Sequence, residues 1–139
     1  MTTVRHFTFD EATDLLPRLT ECIGTLRRLR DQATVKRARF DQLWQRLENG
    51  EPVLTTLGDE QRTLDALTDR LVATAKEIES IGCVLRDLDL GLIDFPFRLR
   101  TGVVFLCWRI GEPAILFWHG PDEGFTGRKP IAQLPADLG

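Results

Sequence analysis

The sequence predicts an α+β fold: a long antiparallel helical hairpin followed by a three- or four-stranded antiparallel β meander packed on the helices. Three observations predict it. Ala12, Leu19, Leu26, Ala33, Phe40 and Leu47 recur every seven residues, with Leu15, Cys22, Leu29 and Leu43 three positions further on. Leu57, Leu64, Leu71, Ile78 and Leu85 form a second seven-residue series. From Gly82 onward the period falls to two, as strands require.

The first series defines a helix over 10–49. Asp10 is its expected cap, and Glu11 and Asp14 suit the positive end of the helix dipole. Pro17 lies inside the pattern and should kink the helix or split off a short lead-in. Leu16, Ile23 and Trp44 widen the apolar face beyond a two-stranded seam, while Lys36 interrupts it. Asn49-Gly50-Glu51-Pro52 stops the helix. A second helix is expected over 59–81, capped by Asp59 and ended by Gly82. A short connection between two such helices makes them antiparallel neighbours.

The meander is expected over 83–119, with a loop and tail over 120–139, all within one domain of 1–139. Two-residue turn chemistry at Thr101-Gly102 would place Arg98 opposite Phe105, Pro96 opposite Cys107 and Asp94 opposite Arg109. A turn at Gly111-Glu112-Pro113 would place Trp108 opposite Leu116, Leu106 opposite Trp118 and Phe105 opposite His119. One sheet face then carries only apolar residues, from Ile93, Phe95, Phe97 and Leu99 through Val104, Leu106, Trp108 and Ile110 to Ala114, Leu116 and Trp118. A slip of one residue would scramble that face. The other face mixes Asp94, Arg98, Arg109 and His119 with Phe105, Ile115 and Phe117, the composition of a recognition surface rather than a solvated one. Pro96 belongs at an edge or a bulge.

Composition limits the function classes. The 139 residues are 42% hydrophobic and 28% charged, with a net charge of −3, which gives no general attraction to nucleic acid or anionic membrane. The helix carries a basic run (Arg27, Arg28, Arg30, Lys36, Arg37, Arg39), but the second helix is acidic, so the two biases match each other and no nucleic-acid partner is expected. No apolar run approaches the ~18 residues of a membrane span, and the opening residues lack a signal-peptide core. Cys22, Cys83 and Cys107 are an odd number without CxxC spacing, as expected of buried thiols in a reducing cytoplasm.

The candidate ligand-binding residues are Asp94, Arg98, Arg109, Glu112, His119 and Arg128. Asp94 and Arg109 would form a cross-strand pair, or hold an arginine ready for a carboxylate or phosphate. His119, with Asp122, Glu123 and His6, makes an imaginable metal set, but no HxxxH, CxxC or HExxH spacing supports it, and no metal is assigned. Gly124-Phe125-Thr126-Gly127-Arg128-Lys129-Pro130 is a glycine-punctuated basic loop without Walker A or dinucleotide spacing, so no cofactor is expected.

Several clusters together resemble one family. They are Phe7-Thr8-Phe9-Asp10-Glu11-Ala12 with Leu15-Leu16-Pro17, then Gly91-Leu92-Ile93-Asp94-Phe95-Pro96, then Leu106-Cys107-Trp108-Arg109 with Gly111-Glu112-Pro113, and Trp118-His119 with Gly124-Phe125-Thr126-Gly127-Arg128. In these the chain is similar to bacterial proteins of domain-of-unknown-function family 2203. The resemblance implies a bacterial, cytoplasmic protein and assigns no activity. It favours Asp94, Trp108, Arg109, Glu112, Trp118, His119 and Arg128 over the basic helix. The wide helical stripe and the mixed outer sheet face lead instead to the expectation of a homo-oligomeric binding or assembly module with a recognition surface on that face, a homodimer with a protein or small anionic ligand as its further partner. The alternative is a small ligand- or metal-dependent hydrolase using His119, Glu112 and Arg128.

Overall fold

A computed structural model describes residues 5–135. The opening residues 1–4 and the end of the expected tail, 136–139, lie outside it. Helices α1 (Phe9–Asp14), α2 (Leu16–Glu48) and α3 (Leu54–Ile81) precede strands β1 (Val84–Asp87), β2 (Leu92–Leu99), β3 (Gly102–Arg109), β4 (Phe117–His119) and β5 (Lys129–Pro130). The fold is α+β, and its sheet is an antiparallel five-stranded meander in the order β1-β2-β3-β4-β5. The chain divides into two compact units, Met1–Ile23 with Glu77–Gly139, and Gly24–Lys76.

Pro17 divides a lead-in from the long helix: α1 ends at Asp14, and Pro17 is the second residue of α2, where its missing N–H costs nothing. The cap of α1 is Thr8 and not Asp10. Thr8 Oγ1 accepts from Glu11 N at 3.1 Å while Glu11 Oε1 accepts from Thr8 N at 2.8 Å, a reciprocal box that Asp10, one residue later, cannot make. The second helix starts at Leu54, five residues before Asp59, because Val53 O already accepts the amide of Leu57 at 2.9 Å.

In the central unit the two helices turn back through Asn49–Val53, where Leu43, Val53 and Leu57 are buried together with Phe40 and Leu47 against them. Leu26, Leu29, Leu64 and Leu67 are also buried. Lys36 Nζ reaches Glu60 Oε2 at 3.5 Å, so the break in the apolar series is answered by an acid on the neighbouring helix. A groove of about 470 Å³ runs past Val35, Lys36, Thr63 and Leu67.

The sheet unit buries the predicted inner face: Ile93, Phe95, Phe97, Leu99, Val104, Leu106, Trp108 and Trp118 are all at most 9% exposed. Leu16, Leu19, Cys22 and Ile23 of α2 and Ile78 and Ile81 of α3 are buried in the same unit, and Arg18 pairs with Glu77 across these helices at 3.0 Å. Phe7 meets Phe95 edge-on with ring centroids 5.3 Å apart. Gly82 ends α3 at φ +103°, and a Cβ there would meet Arg5 Cβ at 2.9 Å. That approach lets Arg5 Nη1 donate to Ile81 O at 2.9 Å.

The β2–β3 turn is Arg100-Thr101, one residue earlier than expected, so Leu99 pairs with Gly102 and every β2–β3 partnership moves by two. Asp94 faces Cys107, Arg98 faces Val103 and Arg109 faces Leu92. A displacement of two leaves each side chain on its own face, so hydrophobic alternation cannot detect it. The β3–β4 register holds at Phe105–His119 and Leu106–Trp118, but Pro113–Leu116 is irregular. Ile115 is therefore buried and Leu116 is 44% exposed, the reverse of the expected alternation.

Pro96 lies on an inner strand, opposite Phe105, beyond the end of β1, whose pairing stops at Asp94. Its carbonyl accepts the amide of Phe7 at 2.9 Å. Locally, the proline is at an edge after all. Val84–Asp87, near the expected start of the meander at residue 83, form β1, and β5 comes from the stretch expected to be loop.

Candidate functional site

The middle of the outer sheet face is covered, while Arg98 and Arg109 on the same face are exposed. Asp94, Cys107, Ile115 and His119 are each at most 3% exposed. Pro121, Glu123, Gly124 and Phe125 help enclose a cavity of about 190 Å³ lined also by Arg86, Asp94, Cys107 and His119.

Asp94 is its centre. Arg86 Nε donates to Asp94 Oδ2 at 2.8 Å, and His119 Nε2 lies 2.9 Å from the same oxygen. His119 Nδ1 lies 2.8 Å from Gly120 O. A carbonyl only accepts, so Nδ1 carries a hydrogen and donates it. A further proton must then lie between Nε2 and Oδ2, on the ring or on the carboxyl. Phe105 stacks on the imidazole at 5.5 Å, and Arg86 lies over Phe105 at 5.1 Å. The other carboxylate oxygen, Asp94 Oδ1, is buried without a hydrogen-bond partner, an arrangement that ordinarily costs free energy.

Cys107 completes the cluster. A carboxylate oxygen of Asp94, Cys107 Sγ and a ring nitrogen of His119 lie within 4.8 Å of one another. Burial, reinforced by the Asp94 carboxylate, pushes the Cys107 thiol up to about 12. It is no nucleophile at neutral pH. At the rim, Glu123 accepts from Gly120 N at 2.8 Å and pairs with Lys129. Lys129 and that amide hold its carboxyl below the usual range.

The six expected site residues divide. Asp94 and His119 share the cavity. Glu112 and Arg128 form a separate clamp: Arg128 Nη2 donates to Glu112 Oε1 at 2.7 Å and to Cys107 O at 3.3 Å. Its guanidinium lies 4.0 Å from the Phe117 ring centre and 4.9 Å from that of Phe125. Glu112 Oε1 also accepts the amide of Arg109 at 2.6 Å, and Glu112 O accepts from Trp108 Nε1 at 3.0 Å. This clamp fastens the turn after β3 to the 125–130 segment through Arg128 Nη2, while Arg128 Nε is buried without a hydrogen-bond partner.

Arg109 is exposed, its side chain 6.0 Å from the Phe125 ring centre, and it makes no pair with Asp94. The two-residue shift in register carried it away, and Arg86 of β1 takes its place. Arg98 is exposed opposite Val103 and stands outside the cavity lining. The imagined metal set also dissolves. Among the described residues, the group of three close donors is Asp94, Cys107 and His119, whereas Asp122, Glu123 and His6 are not in it.

Sequence reasoning missed Arg86 and set Cys107 aside as inert. Leu85 continues the heptads of α3, which hides the start of β1. The available signal was the Asp87-Leu88-Asp89-Leu90-Gly91 stretch, a turn that pairs Val84 with Asp94.

Fold and site define a class: an α+β protein with a helical hairpin and an antiparallel sheet that encloses a small polar pocket. The family comparison makes the assignment specific. The model of the DUF2203 family, described as an uncharacterized conserved protein, matches residues 5–131, and the chain belongs to that family. No curated protein and no solved structure matched. Among the described residues, no helix is long and apolar enough to cross a membrane.

Proposed function

We propose that this chain is a non-catalytic binding module that takes a small ligand in the Asp94–His119 pocket and pairs with a second copy through its helical hairpin. The observation that carries the binding reading is the cavity itself, with a buried carboxylate oxygen aimed at no partner. The hydrolase alternative has less support. Glu112 Oε1 is taken by Arg128 Nη2 and by the Arg109 amide, both nitrogens of His119 are engaged, and the thiol in the pocket holds its proton.

A thermal-shift screen of small organic acids, amines, sugars and metal ions tests the pocket, with wild type beside His119→Asn. A saturable shift that the substitution removes is the expected result. If no compound of any class gives one, the binding reading fails.

Self-association is supported by Val35, Trp44, Leu54 and Val72, which are 47–68% exposed on a unit only two helices thick. The basic bias of α2 and the acidic bias of α3 make two antiparallel copies complementary. Arg30–Asp31, Lys36–Glu60 and Arg37–Asp41 pairs neutralise part of the basic run, which argues against nucleic acid. Three free, buried cysteines support a reducing compartment, the cytoplasm.

A further inference from the structure

We infer that the ligand of this pocket is a divalent transition-metal ion, held by Asp94 Oδ1, Cys107 Sγ and His119 Nε2 with one coordination position left open. The inference rests on the pocket reading and names its ligand.

The donor set selects the ion. One carboxylate, one thiolate and one imidazole suit zinc or cobalt, whereas calcium and magnesium take oxygen. The second coordination sphere is in place as well. A metal-binding histidine donates its other ring N–H to a carbonyl or carboxylate, and Nδ1–H to Gly120 O at 2.8 Å does this and turns Nε2 inward. Arg86 engages Oδ2, which leaves Oδ1 as the available oxygen.

Distances fit with modest closure. Bonds of about 2.0 Å to nitrogen and oxygen and 2.3 Å to sulfur give tetrahedral edges of about 3.3–3.5 Å, and a carboxylate oxygen of Asp94, Cys107 Sγ and a ring nitrogen of His119 lie within 4.8 Å of one another. The cavity supplies the remaining position, as in zinc sites that exchange a ligand.

Charge and protons balance. A dication, the carboxylate and the thiolate sum to zero, and Arg86 stays on Oδ2. Binding replaces the proton shared by Nε2 and Oδ2 and the proton on Cys107, while Nδ1–H remains. Two protons therefore leave to solvent for each ion bound, and affinity falls as pH falls.

The test uses the full-length protein, stripped with a chelator and titrated with cobalt(II). One equivalent should give a thiolate-to-cobalt charge-transfer band, and calorimetry in buffers of different ionisation enthalpy should count about two protons. Cys107→Ser should abolish the band and weaken binding at least as much as loss of an outer-sphere partner, about 10–100-fold. The double variant Cys22→Ser/Cys83→Ser should retain it. Absence of the band in folded wild type, which depends on no variant, overturns the inference. So does a band that survives Cys107→Ser. If metals fail while an organic compound gives a shift that His119→Asn removes, only the metal assignment falls and the pocket stands.

Discussion

At the scale of the residue, the aromatic core and the titrating groups make separable predictions. Phe95 is fully buried and braced by Phe7, so Phe95→Ala should cost about 3–5 kcal/mol, read from denaturant midpoints at constant m-value. Thr8 satisfies an orphan amide at the start of α1, and Thr8→Ala should cost about 1 kcal/mol. The Glu11 carboxyl is held below its ordinary 4.5, first by the Thr8 amide and then by the Thr8 hydroxyl. A depressed folded value stabilises above pH 4.5, and that stabilisation is lost as pH falls through the lowered value. Glu11→Gln should therefore flatten the acid limb of a stability–pH curve and leave the curve parallel to wild type at neutral pH. The thiols act at the other end. Burial raises Cys83 to about 11 and Cys107 to about 12 from 9.0. Their contribution is intact below pH 9 and declines as pH climbs towards those values. Replacing both with serine should remove that decline, checked by urea titrations from pH 8 to the alkaline limb.

At the scale of the element, the helices and one sheet face were legible because burial repeats at 3.6 or 2 residues and leaves a periodic trace. Leu19, Leu26, Leu57, Leu64 and Ile78 are buried as their spacing requires. Register is a weaker signal, because an even slip preserves the trace, and the expected Asp94–Arg109 pair was lost to such a slip. The correct alignment has a direct test. Arg98→Cys with Val103→Cys should oxidise to an intramolecular disulfide, since these residues are partners. Arg98→Cys with Phe105→Cys, two positions out of register, should not. The site was legible only in part. Asp94 and His119 lie 25 residues apart in sequence and meet through pairings that no local pattern records. Arg86 was masked by a heptad that continues past the end of its helix.

At the scale of the whole molecule, one compact unit is assembled from both ends of the chain and the other from its middle. Arg18 and Glu77 touch within the first unit. Joining Ile23 to Glu77 by a short glycine-containing turn should therefore preserve the sheet and its pocket, judged by cooperative melting and by the ligand response. If the hairpin is the dimer contact, that shortened chain should be monomeric in light scattering, and full-length Val35→Glu/Val72→Glu should be monomeric too. A dimer that persists in both would move the contact elsewhere.

Asp94 on β2 meets Arg86 from β1 and His119 from β4, with Cys107 of β3 beside it. One carboxylate thus ties β2 to β1 and to β4 through one oxygen, while its other oxygen is buried without a hydrogen-bond partner beside the thiol of β3. Inheritance cannot tune recognition here without also touching the keystone of the architecture. A variant at this position that stops binding must be shown to have kept its sheet before the loss is credited to chemistry.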